Sequence, residues 1–254
     1  MRVGAKTDQG KVRERNEDAY GFRNNLFVLA DGMGGHSAGE IASSIAVETI
    51  LNSSITGFQK ADYAPGCVDS DPPKIEPSLT DSIKTDLKES ILKANESILA
   101  EVALHPENKG MGTTVTVLYV TEGQAFFSHV GDSRIYHFSE GSLVQLTDDH
   151  SLVAELIKNG VISETEARNH SKRNILTQAL GTEGALEFEV TEIPVVTGDK
   201  FLLCSDGLNG ILEDSLMKDQ LALNEEPQII AEKLVSLANE EGGPDNITVI
   251  VVEI

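Results

Sequence analysis

Four times in this chain an apolar run meets an aspartate beside turn residues. "FVLADG" does so at Asp31, "FFSHVGD" at Asp132 and "FLLCSDG" at Asp206, while "GGPDN" sets Asp245 just ahead of the apolar run "ITVIVVEI". An acidic pair, Glu17 and Asp18, stands in "RERNEDAY". A single Asp-Gly or Asp-Asn is an ordinary turn signal that ends a strand. Recurrence at four strand boundaries asks for more. Strand ends converge at one edge of a sheet, and carboxylates gathered there repel one another and raise their own pKa values unless cations neutralise them. Ligands that are all oxygen favour hard ions such as Mg²⁺ or Mn²⁺. Two such ions side by side suit hydrolysis at phosphorus. The glycine after Asp31 lets the backbone approach an ion, and its carbonyl can serve as a ligand.

The rest of the chain reads as one α+β domain over residues 1–254. At 254 residues it can bury a large core. Ala38 to Leu51 reads as a helix, with Ile41, Ala42, Ile45, Ala46 and Ile50 on one face. Residues 53–78 lose periodicity and hold Gly57, Pro65, Gly66, Pro72, Pro73 and Pro77, so a loop insertion is expected there. Leu79 to Val102 marks a second long helix. "TTVTVLYV", "QAFFSHV" and "RIYHF" read as consecutive strands, residues 151–180 as short helices and loops, and "KFLLCS" as a further strand. Pro227 to Glu241 is a helix, and "ITVIVVEI" a closing strand buried on both sides. Strands in runs with helices clustered elsewhere point to an α+β domain; stacked antiparallel sheets covered by helices would fit, but periodicity alone does not fix that layering.

The net charge of −21 disfavours nucleic-acid and anionic-membrane partners. No apolar run is long enough to span a bilayer. Two cysteines make no disulfide framework, and the first residues hold no apolar signal-peptide core, so the expected compartment is the cytoplasm.

Taken in order, "VRERNED", "LADGMGGHSAGE", "GMGTT", "VGDSRIY", "LTDDHS", "LTQALG", "LLCSDGL" and "GGPDNITVIVV" resemble the bacterial metal-dependent Ser/Thr protein phosphatases, the protein phosphatase type 2C family. The likeness covers nearly all of the chain outside residues 53–78. It implies two stacked antiparallel β-sheets flanked by helices, an α-β-β-α sandwich. It implies that Asp31 bridges two Mn²⁺ or Mg²⁺ ions and that Asp206 and Asp245 complete one site. The Gly32 carbonyl, with Glu17 and Asp18 directly or through water, completes the other. Asp132 is similar to the residue that holds a third, weaker ion with Asp206. Arg13 matches the arginine that binds the substrate phosphate. A water activated between the ions attacks phosphorus in line with the leaving oxygen. Either His36 or a metal-bound water supplies the proton that the leaving oxygen needs. Residues 151–180 correspond to a variable flap beside the site. The partners implied are phosphorylated proteins, the targets of a cognate Ser/Thr kinase, acted on by a monomer.

Two alternatives stay open at this point. One is a catalytically silent relative that binds phosphoproteins as an adaptor, and the other is a hydrolase of small phosphoesters. Other phosphatase chemistries lack their residues. A cysteine phosphatase needs an arginine six positions after its cysteine, but Cys67 leads to Pro73 and Cys204 to Gly210. "DSDPP" at Asp69 has no preceding apolar strand, and no Gly-x-x-x-x-Gly-Lys loop is present.

Overall fold

The computed structural model describes residues 1–34, 38–55 and 78–254. Among them two antiparallel sheets stack face to face. The first runs β1 (Arg2–Asp8), β11 (Ile247–Glu253), β10 (Lys200–Cys204), β7 (Arg134–Ser139), β8 (Ser142–Gln145). The second runs β2 (Asp18–Arg23), β3 (Leu26–Met33), β5 (Val115–Thr121), β6 (Gln124–Val130), β9 (Thr191–Pro194), with the short β4 (Gly112–Thr113) paired to the end of β3. The fold is the α-β-β-α sandwich that the family resemblance implies.

Side-chain alternation builds the layers. Along β3, Leu26, Val28 and Ala30 face the helices α1 (Gly39–Leu51) and α2 (Leu79–Leu104), while Phe27 and Leu29 face the other sheet. Along β11, Ile247, Val249 and Val251 face α6 (Asp214–Leu221) and α7 (Pro227–Glu240), and Ile250 and Val252 face inward. Both strands are apolar at successive positions because each is covered on two faces. The inter-sheet layer joins Phe27, Leu29 and Leu118 to Phe201, Leu203 and Ile250, each at most 1% exposed. Burial on this scale contributes about 1.5–3 kcal/mol per large side chain.

Local signals fix the element ends. The Ser78 hydroxyl accepts from the Asp81 amide to open α2. In the segment after β8, Ser151 opens α3 (Leu152–Lys158), and a Ser163–Glu166 capping box opens α4 (Glu164–Arg168). Asn24 and Asn25, at φ 48° and 66°, turn β2 into β3, the left-handed pair that a two-residue hairpin requires. The buried Lys200 ammonium donates to the Leu221 and Leu223 carbonyls, which satisfies it at the end of α6.

Two readings of the sequence need correction. The strand carrying Asp31 does not stop there. It continues through Gly32 to Met33, because Gly32 and Met33 still pair with Thr113 and Gly112. Four strands, β1, β2, β8 and β9, were not anticipated. Their burial is partial, so they lack the clean apolar alternation that marks a strand. Most of the expected insertion, residues 56–77, lies outside the described residues. No helix among the described residues is long and apolar enough to cross a membrane.

Candidate metal centre

Where the two sheets meet, a cavity of about 200 Å³ is lined by Arg13, Glu17, Asp31, Gly32, Asp132, Asp206 and Asp245. Seven of the nine residues expected at the site therefore share one pocket. Asp18 does not line it but is the cross-strand partner of Asp31, which does, and His36 lies outside the described residues.

Each carboxylate is delivered by a different device. Asp31 and Asp18 are directly opposed partners on the antiparallel pair β3 and β2. Asp132 follows the last residue of β6, across a glycine at φ 108°. Asp206 opens the four-residue α5 (Asp206–Asn209), with Ser205 alone between it and the end of β10, and one residue, Asn246, separates Asp245 from β11. Gly32 is required by space: a β-carbon there would stand 2.3 Å from the Gly39 carbonyl oxygen and 2.5 Å from that of Glu17.

Desolvation and mutual repulsion act together on this cluster. Burial, then the charges of Asp18 and Asp206, push the Asp31 carboxyl well above its usual range. Burial, then Asp132 and Asp245, do the same to Asp206. Burial is also the main cause that raises Asp18 to about 6 and Asp132 to about 6, with Asp149 adding to the latter. Glu17 is raised by burial and by Glu40. Acids held this way call for counter-charge.

The donor chemistry fits a hard divalent ion. Every expected ligand is an oxygen, and the buried Asp18 Oδ1 has no hydrogen-bond partner. Among the described residues no three acidic, imidazole or thiol groups are already placed to hold a metal ion together. Some donors instead hold protein partners. Arg13 Nη2 donates to Asp245 Oδ2 at 2.6 Å, which lifts the guanidinium pKa further. Asp18 Oδ2 accepts from Ser205 Oγ at 2.8 Å and Thr248 Oγ1 at 2.6 Å, both from the opposite sheet.

Several supporting residues were not picked out from the sequence. The Asn246 side chain accepts from the Glu17 amide and donates to the Gln9 and Arg15 carbonyls, so it fixes the loop that carries Arg13 and Glu17. Thr114 accepts from the Asp31 amide and shares a 2.7 Å hydrogen bond with Ser133. Asn174 and Leu176, from the expected flap, line the pocket wall. Only their place in recurring motifs could have marked Asn246 and Thr114; hydroxyls and amides beside strands otherwise look like turn chemistry.

An α-β-β-α sandwich with this pocket between its sheets places the chain among the phosphoric monoester hydrolases. It belongs to the protein phosphatase 2C family, whose members it matches over residues 9–246. Serine/threonine phosphatase stp of Listeria welshimeri is 37% identical over 260 residues, covering 100% of this chain and 96% of that protein. Among solved structures, the Mycobacterium tuberculosis serine/threonine phosphatase PstP/Ppp is similar with a TM-score of 0.84 at 34% identity, covering 100% of this chain and 98% of the other. The PstP catalytic domain described in complex with 2 manganese ions gives a TM-score of 0.82 at 33% identity, covering 99% and 97%.

Proposed function

We propose that the chain is a single catalytic domain that hydrolyses phosphoserine and phosphothreonine esters on proteins at a dinuclear Mn²⁺ or Mg²⁺ centre. The observation that carries this reading is the gathering of Glu17, Asp31, Asp132, Asp206 and Asp245 in one pocket with a single arginine. Asp31 would bridge the ions. Asp206 and Asp245 would complete one site, and the Gly32 carbonyl with Glu17 and Asp18 the other. Asp132 and Asp206 would hold a third, weaker ion. Bound ions supply Lewis acidity toward phosphate and lower the pKa of water.

The chain's own residues do the rest. Arg13 exchanges its bond to Asp245 for the phosphate oxygens, where its fork matches two acceptors at once. Ser205 and Thr248 hold Asp18 from the far sheet, and Asn246 keeps the loop of Arg13 and Glu17 in register. His36, which lies outside the described residues, is one candidate to protonate the leaving oxygen, and a metal-bound water is the other. On this reading the partners are phosphorylated proteins, targets of a cognate Ser/Thr kinase, and the enzyme acts as a monomer in the cytoplasm.

Phosphate release from a panel of phosphoserine and phosphothreonine peptides tests the proposal, with Mn²⁺, Mg²⁺ and chelator as separate arms. Activity is expected with either ion and none in chelator. Robust turnover in metal-free buffer would sink the metal reading. Hydrolysis of small phosphoesters without peptide turnover would replace the protein substrate.

A further inference from the structure

His150, in "LTDDHS", has no part in the pocket's chemistry, yet it is the junction between the pocket and the flap. Its amide donates to the Gly131 carbonyl at 2.9 Å, and its Nδ1 accepts from the Gly131 amide at 3.3 Å. Gly131 is the residue before Asp132, is buried, and cannot take a side chain: a β-carbon would stand 2.6 Å from Thr114 Cγ2. On its other side the His150 carbonyl accepts from the Thr177 amide at 2.9 Å, and the Leu152 amide donates to the Ile175 carbonyl at 2.9 Å. Ser151 and Leu176 form an antiparallel bridge between these contacts. Leu176 and Asn174 are the flap residues that line the pocket.

Neighbours fix the junction in place. Arg134 grips Asp149 with two hydrogen bonds, at 2.8 and 2.7 Å. The His129 ring stacks on the His150 ring with centroids 4.5 Å apart, and His129 Nε2 donates to the Asp148 carbonyl. Burial and His129 hold the His150 pKa down at about 4, so near neutral pH Nδ1 keeps the lone pair that the Gly131 amide needs. The segment's far end is pinned separately, through Leu180 and Thr113. The height of Asn174 and Leu176 over the pocket thus depends on the His150 end.

We infer that His150 is a positioning residue that holds the 151–177 segment in place over the pocket and thereby governs acceptance of phosphopeptides rather than of small phosphoesters. This rests on the phosphatase reading above. A peptide extends beyond its phosphate and must pass the wall formed by Asn174 and Leu176. A small ester reaches the carboxylates and Arg13 without it.

The test compares His150→Phe, which keeps a stacking ring and loses the acceptor, with His150→Asn, whose Oδ1 can replace Nδ1. kcat/KM is measured in Mn²⁺ on a phosphothreonine peptide and on p-nitrophenyl phosphate. His150→Phe should lose about tenfold on the peptide, the scale of one buried donor left unpaired, and leave the small ester unchanged. His150→Asn should restore peptide turnover. Hydrogen exchange should quicken at the Leu152 and Thr177 amides in the Phe variant alone. If that variant does not fold, His129→Ala, which removes the stacked ring, should show the same split between substrates. Equal losses on both substrates, an Asn variant as impaired as Phe, or unchanged exchange overturns the assignment. A wild type inert on both substrates overturns the phosphatase reading, and this inference with it.

Discussion

Arg13 and Asp245 are bonded at 2.6 Å, so the guanidinium facing the pocket is held by a carboxylate that the proposed centre needs as a ligand. Substrate phosphate must compete with Asp245 for Arg13, and an ion must compete with Arg13 for Asp245. Arg13→Ala should therefore raise KM for a phosphopeptide by roughly tenfold, the scale of one exposed charge-assisted contact, and lower kcat less. It should also tighten Mn²⁺ binding measured by calorimetry. An unchanged KM would remove Arg13 from phosphate recognition.

Asp31 and Asp206 are acids whose pKa the fold raises, so neutral pH is the wrong side for them without an ion. A raised carboxyl stabilises the fold at low pH and loses that contribution as pH climbs through its folded value. Asp31→Asn should abolish turnover. At pH 7.5 in chelator it should also melt above the wild type, by about 2–4 °C for each kcal/mol of repulsion relieved. Mn²⁺ should no longer raise its melting temperature. A variant that melts lower than wild type in chelator would show that the charges are not in conflict.

Thr248 joins the two sheets through its hydroxyl, which donates to Asp18 and lies 2.7 Å from the Thr7 hydroxyl. Thr248→Val keeps the shape and removes one hydrogen bond from each partner, leaving Asp18 to Ser205 and Thr7 to Asn16. Denaturant unfolding should show a loss of roughly 1–3 kcal/mol. A loss within error would mean that Ser205 alone holds Asp18.

His150 gives a pH signature of opposite sign. Its folded pKa of about 4 lies below the usual histidine value, set by burial and His129 against the weaker pull of Asp149 and Asp148. Its stabilising contribution is complete above about pH 6.5 and is lost as pH falls toward 4. Melting curves from pH 7.5 to 4.5 should fall more steeply for wild type than for His150→Asn. Parallel curves would show that His150 titrates normally.

Much of the architecture was legible because the central strands are wholly buried. β3, β10 and β11 announce themselves as apolar runs, and the aspartates at or beside their ends mark the pocket edge. What escaped was material whose environment is set by tertiary contact. β2 carries Asp18 on a strand with no fully buried position, so nothing in "DAYGFR" alternates cleanly. The strand character of Asp31 depends on Thr113, more than eighty positions away. Ser205 and Thr248 are small hydroxyls of the kind that strands and turns use everywhere, and their grip on Asp18 exists only once the sheets are stacked. His150 stands inside a recognisable motif, but its work lies in backbone bonds that no pattern of side chains encodes.

Because Asp18 and Asp31 lie in strands of one sheet while Asp206 and Asp245 flank strands of the other, the layer between the sheets acts as a spacer gauge. Phe27 and Leu29 against Phe201, Leu203 and Ile250 set how far apart the two halves of the pocket stand. Shortening a side chain such as Phe201, which does not line the pocket, would let the halves settle closer or shear past one another. Such a lesion would register first as altered ion spacing and only later as unfolding, so the tolerances of the core are also the tolerances of catalysis.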